Sequence, residues 1–158
     1  MAKVLLGFMG SGKSTIARGI DPDFVDMDAL IEERLGMPIA SFFAKKGETA
    51  FRQVEEEVLA DLLKTDKVVS TGGGVVISPR NRALLKKNPD NIYLKSDFET
   101  LYQRISADKE NQRPLFLTKS KEELAAIFYE REAWYEEVAS LVLDVTTLSP
   151  AEIIEELR

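Results

Sequence analysis

The chain contains no cysteine and no histidine among its 158 residues. These two absences exclude disulfides, thiolate nucleophiles, Ser-His catalytic arrangements and the usual ligands of protein-bound zinc. Whatever chemistry the chain performs must therefore rely on carboxylates, lysines, arginines, hydroxyls and backbone groups. The lack of cysteine also agrees with a cytoplasmic address, which we expect for this protein.

The chain also has fewer basic than acidic residues, and its apolar runs are short. The chain has 21 lysines and arginines against 27 aspartates and glutamates, which gives a net charge of −6. Nucleic acids and anionic membranes bind basic surfaces, so we expect neither as a partner. The apolar run Val4–Leu6 is far too short for a signal peptide or a membrane span. Any anionic substrate must be met by a few locally placed basic side chains.

Short apolar runs recur every few tens of residues, and amphipathic stretches separate them. Continuous runs of this kind are typical of strands buried on both faces of a parallel sheet. The stretches between them have the i, i+3, i+4 spacing of helices. The pattern predicts one α/β domain over residues 1–158, with helices on both faces of a parallel sheet. The runs are 4–8, 24–25, 68–69, 92–94 and 141–143, and the clearest helical stretches are 51–63, 124–135 and 149–157.

The first apolar run leads directly into a phosphate-binding motif. Residues Gly7–Thr15 read Gly-Phe-Met-Gly-Ser-Gly-Lys-Ser-Thr and fit G-x-x-x-x-G-K-[ST], the P-loop. Glycines let backbone N–H groups converge on phosphate oxygens, and the helix that follows offers its positive end to the same anion. Lys13 would reach the terminal phosphates, and the Ser14 hydroxyl would bind Mg²⁺. The plain alternative is a glycine-rich turn that merely connects a strand to a helix.

Two carboxylates, Asp26 and Asp28, follow the second apolar run. Ligands of open α/β sheets bind at the carboxyl ends of strands, so both side chains could enter a site beside the P-loop. One would hold Mg²⁺ through water, and the other would orient an attacking hydroxyl or accept its proton. Alternatively, one of them caps the helix that follows, and the two roles can coexist.

A run of three glycines and three arginines complete the set of candidates. Gly72–Gly74 follows the third apolar run and either permits close approach of the backbone to a ligand or forms a flexible turn. Arg52, Arg113 and Arg131 stand out because the guanidinium group recognises carboxylates and phosphates bidentately. The alternative for each is a solvated arginine in a helical ion pair, and Glu55 could pair with Arg52 in that way.

Taken in order along the chain, these segments resemble the shikimate kinases, a family of small P-loop kinases related in structure to the nucleoside-monophosphate kinases. The resemblance spans nearly the whole chain, and the ordered set is far more specific than any one motif. It rests on Gly7–Thr15, Phe24–Asp28, Ile39–Phe43, Gly47-Glu48, Phe51–Glu55, Ser70–Gly74, Arg113-Pro114-Leu115, Arg131 with Tyr135, and Asp144 with Pro150.

The resemblance implies a fold, an activity and a cofactor. The fold would be a three-layer α/β/α P-loop kinase fold with a central five-stranded parallel sheet. It would include a helical substrate-binding insertion around 27–60 and a mobile lid around 107–119. The activity would be the ATP-dependent phosphorylation of the 3-hydroxyl of shikimate, with Mg²⁺, on the route to aromatic amino acids. The chain would act as a monomer whose partners are the small molecules ATP and shikimate.

The resemblance also implies roles for individual residues on the acceptor side. Asp28 would bind the hydroxyls of shikimate and serve as the candidate base. Arg52 and Arg131 would clamp the carboxylate, and Glu55 would orient Arg52. The glycines Gly72, Gly73 and Gly74 would donate backbone N–H groups to the substrate.

On the nucleotide side, the resemblance implies that Lys13 and Arg113 act on the transferring phosphoryl group. Arg104 and the loop at 148–150 would flank adenine, and Mg²⁺ would lie by Ser14 and Asp26. The full set expected to contact ATP is Gly10, Ser11, Gly12, Lys13, Ser14, Thr15, Arg104, Arg113, Leu148 and Pro150.

The chain departs from the family pattern at two places near the nucleotide. The stretch from Lys13 to Asp26 is about one helical turn shorter than usual. The first helix must therefore be clipped, or its following loop tight, near residues 19–22. Leu148 also stands where a polar or basic residue is often found, which predicts an altered affinity for ATP.

Three alternative functions stay open at this point. They are a kinase of another small polyol acid such as gluconate, a nucleoside-monophosphate kinase, and a nucleotide-binding module without catalytic activity. Gluconate kinases share the P-loop sequence but are not expected to carry Asp28, Arg52, the three glycines and Arg131 in this order. A silent module would be expected to lack Asp28, Arg52 or Arg113, and this chain carries all three.

Overall fold

A computed structural model of the chain describes residues 1–107 and 119–157. Its strands are β1 (Lys3–Leu6), β2 (Val25–Asp26), β3 (Val68–Ser70), β4 (Asn91–Lys95) and β5 (Leu141–Asp144). They form one sheet in the order β2-β3-β1-β4-β5, and every neighbouring pair is parallel. Because β1 is central, the P-loop that follows it emerges between the ends of β3 and β4. The predicted strands and the predicted parallel sheet are confirmed.

Helices connect the strands and cover both faces of the sheet. Within the described ranges they are α1 (Lys13–Ile20), α2 (Met27–Leu35), α3 (Ile39–Leu62), α4 (Pro79–Lys86), α5 (Phe98–Ala107), α6 (Lys121–Val138) and α7 (Pro150–Leu157). A short 3₁₀ turn at Val75–Ile77 precedes α4. The last helix begins as the sequence predicts, because the N–H of Glu152 donates to the Ser149 hydroxyl at 3.2 Å.

Side chains of β1 alternate between two cores, one on each face of the sheet. Val4 and Leu6 belong to the larger core, to which α2, α3, α4, α5 and α6 contribute. Leu5 belongs to the smaller core, together with Ile16 of α1 and Ile153 of α7. A sheet with a helical layer on each face is the three-layer α/β/α arrangement that was predicted.

The last strand differs from the prediction that every apolar run is buried on both faces. β5 stands at the edge of the sheet, and Leu141 and Val142 are 47% and 44% exposed. An edge strand has a neighbour on one side only, so its apolar side chains keep part of their surface in water. The strand forms where predicted, but its burial is lower than predicted.

The first helix is short, which is one of the two alternatives that the spacing between Lys13 and Asp26 predicted. α1 has eight residues and ends where the N–H of Asp21 donates to the carbonyl of Ala17 at 2.9 Å. Gly19 lets α7 approach α1 closely, because a β-carbon at this position would lie 2.8 Å from Cγ1 of Ile154. The clipped helix is thus packed directly against the last helix.

Two helices, α2 and α3, stand between β2 and β3, where the sequence predicted a helical insertion. α3 is broken at Gly47, whose φ of 85° lies in the left-handed region that favours glycine. The predicted lid around 107–119 falls almost entirely outside the described residues. No helix in the two described ranges is both long enough and apolar enough to cross a membrane.

Candidate active site

The P-loop joins the end of β1 to the start of α1. Gly10 and Gly12 have φ values of 84° and 85°, which other residues rarely adopt. Gly12 is the N-cap of α1, so the positive end of the helix dipole lies at the loop. The Lys13 ammonium donates to the carbonyls of Gly7 at 2.5 Å and Phe8 at 3.2 Å, which places it within the loop. The predicted phosphate-binding residues therefore form one backbone cradle.

The predicted magnesium ligands lie where β2 ends and α1 begins. Asp26 pairs in register with Ser70 of β3, and the Ser70 hydroxyl lies 3.1 Å from that of Ser14. Oxygen donors suit Mg²⁺, which usually takes one or two protein ligands and completes its shell with water and phosphate. The described part of the chain has no group of three or more acidic side chains that could enclose a metal by itself. The residues present fit a Mg²⁺ ion that arrives with a nucleotide.

Asp26 has a second role, because it caps α2. Its Oδ1 accepts a hydrogen bond from the N–H of Ala29 at 3.2 Å, so the capping alternative is correct for Asp26. Asp28 lies inside the first turn of α2 rather than at the cap. Its carboxylate reaches the glycine run, where a β-carbon on Gly72 would lie 2.6 Å from Oδ1. The two aspartates therefore separate into a cap beside Ser70 and a carboxylate at the glycine run.

The last two glycines of the run are approached by the two predicted arginines. A β-carbon on Gly74 would lie 2.9 Å from Nη2 of Arg52, and one on Gly73 would lie 3.6 Å from Nη1 of Arg131. Neither glycine has a positive φ. Glycine therefore matters here because it has no side chain, which leaves room for the two arginines. The glycine run, at the end of β3, is thus approached by Asp28 from α2, Arg52 from α3 and Arg131 from α6.

Arg52 is held by a buried glutamate. Its Nη1 lies 2.9 and 3.0 Å from the two carboxylate oxygens of Glu55 and donates to the carbonyl of Gly74 at 3.1 Å. Glu48 adds a longer ion pair to Nε at 3.6 Å. The predicted pairing with Glu55 is present, but the arginine is not solvated, since its side chain is only 17% exposed.

Arg131 is even less exposed than Arg52. Only 8% of its surface is exposed, so the alternative of a solvated surface arginine is wrong. Its guanidinium carbon lies 5.7 Å from the centre of the Phe8 ring, close enough for a cation–π interaction. Its neighbours along α6, such as Glu130 and Glu132, favoured the alternative of a solvated arginine, although the helix itself was predicted to be amphipathic. The buried face of α6 could not be recognised from those charges alone.

Burial changes the acidity of several groups at the site. It raises the pKa of Asp28, and the neighbouring carboxylate of Asp26 raises it further. Burial also raises the pKa of Glu55 to about 7, against the opposing effect of Arg52. The pKa of Arg131 is lowered, again mainly by burial. Carboxylates and guanidiniums thus share a site largely removed from water, where charges interact strongly.

Two residues at this site were assigned no function from the sequence, although Tyr135 is part of the family pattern. The hydroxyl of Tyr135, one turn along α6 from Arg131, donates to the carbonyl of Gly73. Asn81 of α4 is fully buried, and its Nδ2 lies 3.3 Å from Oε1 of Glu55. The four-residue spacing between Arg131 and Tyr135 was a usable signal, because it places both on one helix face. Nothing in the sequence indicated that Asn81 is buried.

The predicted adenine-binding residues line one cavity. The cavity has a volume of about 310 Å³ and is bounded by the P-loop, Arg104 of α5, Leu148 and Pro150. A larger recess of about 550 Å³ shares Leu148 with it, but no P-loop residue lines that recess. The smaller cavity is therefore the better candidate for a nucleotide. Arg113, the remaining predicted residue, lies outside the described ranges.

Comparison with known proteins agrees with this arrangement. A family model described as "Shikimate kinase" matches residues 9–158. A shikimate kinase of Streptococcus gordonii is 51% identical over 100% of this chain and 99% of its own length. A shikimate kinase of Streptococcus thermophilus is 53% identical over 97% of this chain and 96% of its own length.

Solved structures give the same result. A shikimate kinase from Acinetobacter baumannii in complex with shikimate is 31% identical with a TM-score of 0.89, over 99% of this chain and 89% of its own. One from Aquifex aeolicus is 31% identical with a TM-score of 0.84, over 99% of this chain and 94% of its own. A gluconokinase from Sinorhizobium meliloti is 18% identical with a TM-score of 0.58, a likeness of fold alone. With a family model matched over nearly its whole length and relatives identical at half of their positions, the chain belongs to the shikimate kinase family.

Proposed function

We propose that this chain transfers the γ-phosphoryl group of ATP to the 3-hydroxyl of shikimate, giving shikimate 3-phosphate and ADP. The observation that carries the proposal is the convergence of Asp28, Arg52 and Arg131 on the glycine run 72–74. Membership of the shikimate kinase family supports it. So does the likeness to the A. baumannii shikimate kinase, which was solved in complex with shikimate.

Shikimate is a carboxylate that bears three hydroxyls, and the acceptor side offers a partner for each kind of group. Arg52 and Arg131 would bind the carboxylate, because a guanidinium donates two parallel hydrogen bonds to it. Asp28 and the backbone N–H groups of Gly72–Gly74 would bind the hydroxyls. Glu55 would hold Arg52 through the ion pair at 2.9 Å. Each substrate group would then meet its chemical complement.

The donor side would hold ATP between the P-loop and the cavity beside it. Backbone N–H groups of Gly10–Thr15 would surround the phosphates, and Lys13 would contact the terminal ones. Arg104, Leu148 and Pro150 would flank adenine, in agreement with their positions around the cavity. Arg113 would stabilise the charge of the transferring phosphoryl group.

Ser14 and Asp26 would hold Mg²⁺ with the nucleotide, Ser14 directly and Asp26 through water. When bound, the ion supplies positive charge that neutralises the phosphate oxygens. The same Asp26 carboxylate continues to cap α2 through Ala29. The position of this ligand is thus set by the start of the helix that also carries Asp28.

Phosphoryl transfer depends on positioning and charge stabilisation more than on covalent chemistry by the protein. Asp28 would orient the 3-hydroxyl toward the γ-phosphorus. Its raised pKa suits it to take up the hydroxyl proton as the new P–O bond forms and the bond to the leaving ADP breaks. Lys13 and Arg113 would offset the negative charge on the transferring group.

We also propose that residues 1–158 act as a single kinase domain, in which the region 27–60 binds shikimate and the region 107–119 is a mobile lid. A monomer in the cytoplasm is the simplest arrangement for an enzyme whose partners are two small molecules. The lack of cysteine agrees with that address.

The test is ADP release with Mg·ATP in the presence and absence of shikimate, with gluconate and AMP as control acceptors. We expect release that depends on shikimate and a product phosphorylated at the 3-hydroxyl. If gluconate or AMP stimulates ADP release and shikimate does not, that compound is the acceptor and shikimate is not. Release with no acceptor dependence, or none at all from protein that still binds ATP, would contradict the proposal.

A further inference from the structure

The two guanidiniums at the glycine run are anchored in different ways. Arg52 is paired with the carboxylate of Glu55 at 2.9 Å. Arg131 instead lies one turn before Tyr135 on the same face of α6, and both side chains approach Gly73. Arg131 acts on that hydroxyl both as a charge and as a hydrogen-bond donor, and each influence lowers the pKa of Tyr135 against the larger effect of burial. One arginine therefore has a charged partner and the other a neutral one.

The Tyr135 hydroxyl is itself fixed in direction. It donates its hydrogen to the carbonyl of Gly73, the middle residue of the glycine run. A hydroxyl has one hydrogen to donate and two lone pairs that accept, so donation to Gly73 leaves the lone pairs for Arg131. The ring is fully buried and stacks on Tyr93 with centres 5.0 Å apart. The oxygen therefore has little freedom to move.

Both anchors oppose a repulsion. Arg52 and Arg131 approach the same short run of backbone, and the positive charge of Arg52 contributes to the lowered pKa of Arg131. Two like charges in a site removed from water would separate if nothing held them. If each arginine were paired with a carboxylate, the two negative charges would cancel the attraction of the two arginines for an anionic ligand. A neutral hydroxyl helps to hold Arg131 without adding a negative charge to those of Glu55 and Glu130, which already act on this arginine.

We propose that Tyr135 is a positioning residue for the acceptor: its hydroxyl, held by the Gly73 carbonyl, aims the Arg131 guanidinium at the carboxylate of a hydroxylated acid. The inference rests on the proposed function, in which Arg131 binds that carboxylate. Tyr135 itself does not touch the substrate. Its contribution belongs to acceptor binding and not to nucleotide binding, because none of its contacts lies in the cavity beside the P-loop.

The test is Tyr135→Phe, which removes one oxygen and keeps the buried ring. We expect the KM for shikimate to rise about tenfold, since one hydrogen bond to a charged group is lost. The KM for ATP should stay the same and kcat should change little, because the carboxylate is remote from the reacting hydroxyl. A purely structural role would instead lower the melting temperature and leave the KM for shikimate unchanged, or raise both KM values alike. Either of those results would overturn the proposal.

A second substrate makes the test specific for the carboxylate. The carboxamide of shikimate has no negative charge, so wild-type protein should bind it more weakly than shikimate. If Tyr135 acts through Arg131 and the carboxylate, Tyr135→Phe should cause little further loss with the carboxamide. If the loss caused by Tyr135→Phe is as large with the carboxamide as with shikimate, the hydroxyl acts by another route and the proposal is wrong.

Two control variants separate this inference from the function on which it rests. Tyr93→Phe removes a hydroxyl from the ring that stacks on Tyr135 and should leave the KM for shikimate unchanged. Arg131→Met should raise the KM for shikimate more than Tyr135→Phe does. A large effect of Arg131→Met with none from Tyr135→Phe would overturn only the positioning role. No effect from Arg131→Met would overturn the proposed role of Arg131, and the positioning role with it.

Discussion

The carboxylate of Asp28 lies against the α-carbon of Gly72, so closely that a β-carbon there would stand 2.6 Å from Oδ1 and 3.0 Å from Oδ2. Asp28 comes from α2 and Gly72 follows β3, so the helical insertion approaches the end of the sheet closely at this point. Position 72 therefore accepts only glycine as long as Asp28 keeps its place.

Gly72→Ala should therefore displace Asp28 and reduce turnover. A shift of about 1 Å in a group that positions substrate can cost about a hundredfold in rate, so we expect a loss of that order. ATP binding should be retained, because Gly72 is not among the residues around the nucleotide cavity. Steady-state kinetics and nucleotide titration would measure the two effects separately.

Gly73→Ala is the matched control within the same run. Its β-carbon would meet the backbone nitrogen of Met9 at 3.5 Å and Nη1 of Arg131 at 3.6 Å, which are ordinary van der Waals distances. This variant should keep more turnover than Gly72→Ala. Equal losses in the two variants would show that displacement of Asp28 is not the cause.

Asp28→Asn should abolish most turnover while leaving ATP binding near its normal value. Asparagine has nearly the same shape, so the contact with Gly72 is kept, but the amide cannot take a proton from the 3-hydroxyl. General-base groups typically contribute about 10²- to 10⁴-fold, and a loss in that range is expected. Single-turnover kinetics and ATP titration are the measurements. A comparable loss of ATP affinity would contradict the placement of Asp28 on the acceptor side.

The activity should depend on pH through the buried carboxylates. The pKa of Glu55 is about 7, so its ion pair with Arg52 is progressively lost as the pH falls below that value. The pKa of Asp28 is raised as well, and its protonation acts in the same direction. We expect kcat/KM for shikimate to fall between pH 8 and pH 6. In Glu55→Gln it should be low already at pH 8 and vary less, whereas a flat wild-type profile would argue against this cause.

Protonation of Glu55 should lower activity but stabilise the folded protein, so stability should change with pH in the opposite direction to activity. The ordinary pKa of the Glu55 carboxyl is 4.5, and folding raises it to about 7, so the folded protein binds this proton more tightly than the unfolded chain. The contribution of Glu55 to the free energy of unfolding is therefore fully present below pH 4.5 and is lost as the pH rises toward 7. Urea unfolding should show that the free energy of unfolding falls more steeply with rising pH across this range in the wild type than in Glu55→Gln.

Gly19→Ala should destabilise the protein, although alanine usually favours a helix over glycine by about 1 kcal/mol. The added β-carbon would overlap Ile154 of α7, and overpacking of this kind costs about 1–3 kcal/mol. The double variant with Ile154→Ala provides the control. In the Ile154→Ala background, Gly19→Ala should stabilise, and urea unfolding of the four proteins would measure the coupling. Additive effects would mean that the two residues do not compete for space.

Much of the fold and of the site could be predicted from the sequence, because the relevant signals are local. The P-loop is one uninterrupted segment, and its glycines indicate positive φ values that other residues rarely adopt. The short spacing between Lys13 and Asp26 likewise predicted a clipped first helix or a tight loop after it, and α1 has eight residues. Asp28 and Arg52 were predicted through the family pattern, and the structure brings both to the glycine run.

What the sequence did not predict depends on contacts between distant segments. Whether Arg131 is buried depends on β1 and the glycine run, which are remote in sequence from α6. The exposure of Leu141 followed from the position of β5 at the sheet edge, and an apolar run reads alike for central and edge strands. Asn81 meets Glu55 only because α4 folds back on α3. Helix charge patterns and apolar runs carry no information of this kind.

The cavity beside the P-loop and the three-glycine run have no residue in common. A nucleotide in the cavity would therefore leave the acceptor's contacts uncovered, and an acceptor at the glycine run would leave the cavity uncovered. If ATP and shikimate bind where we propose, neither ligand has to enter before the other, and we expect them to add in random order. Dead-end complexes such as ADP with unreacted shikimate are then sterically allowed, and ADP would compete with ATP without displacing the acceptor.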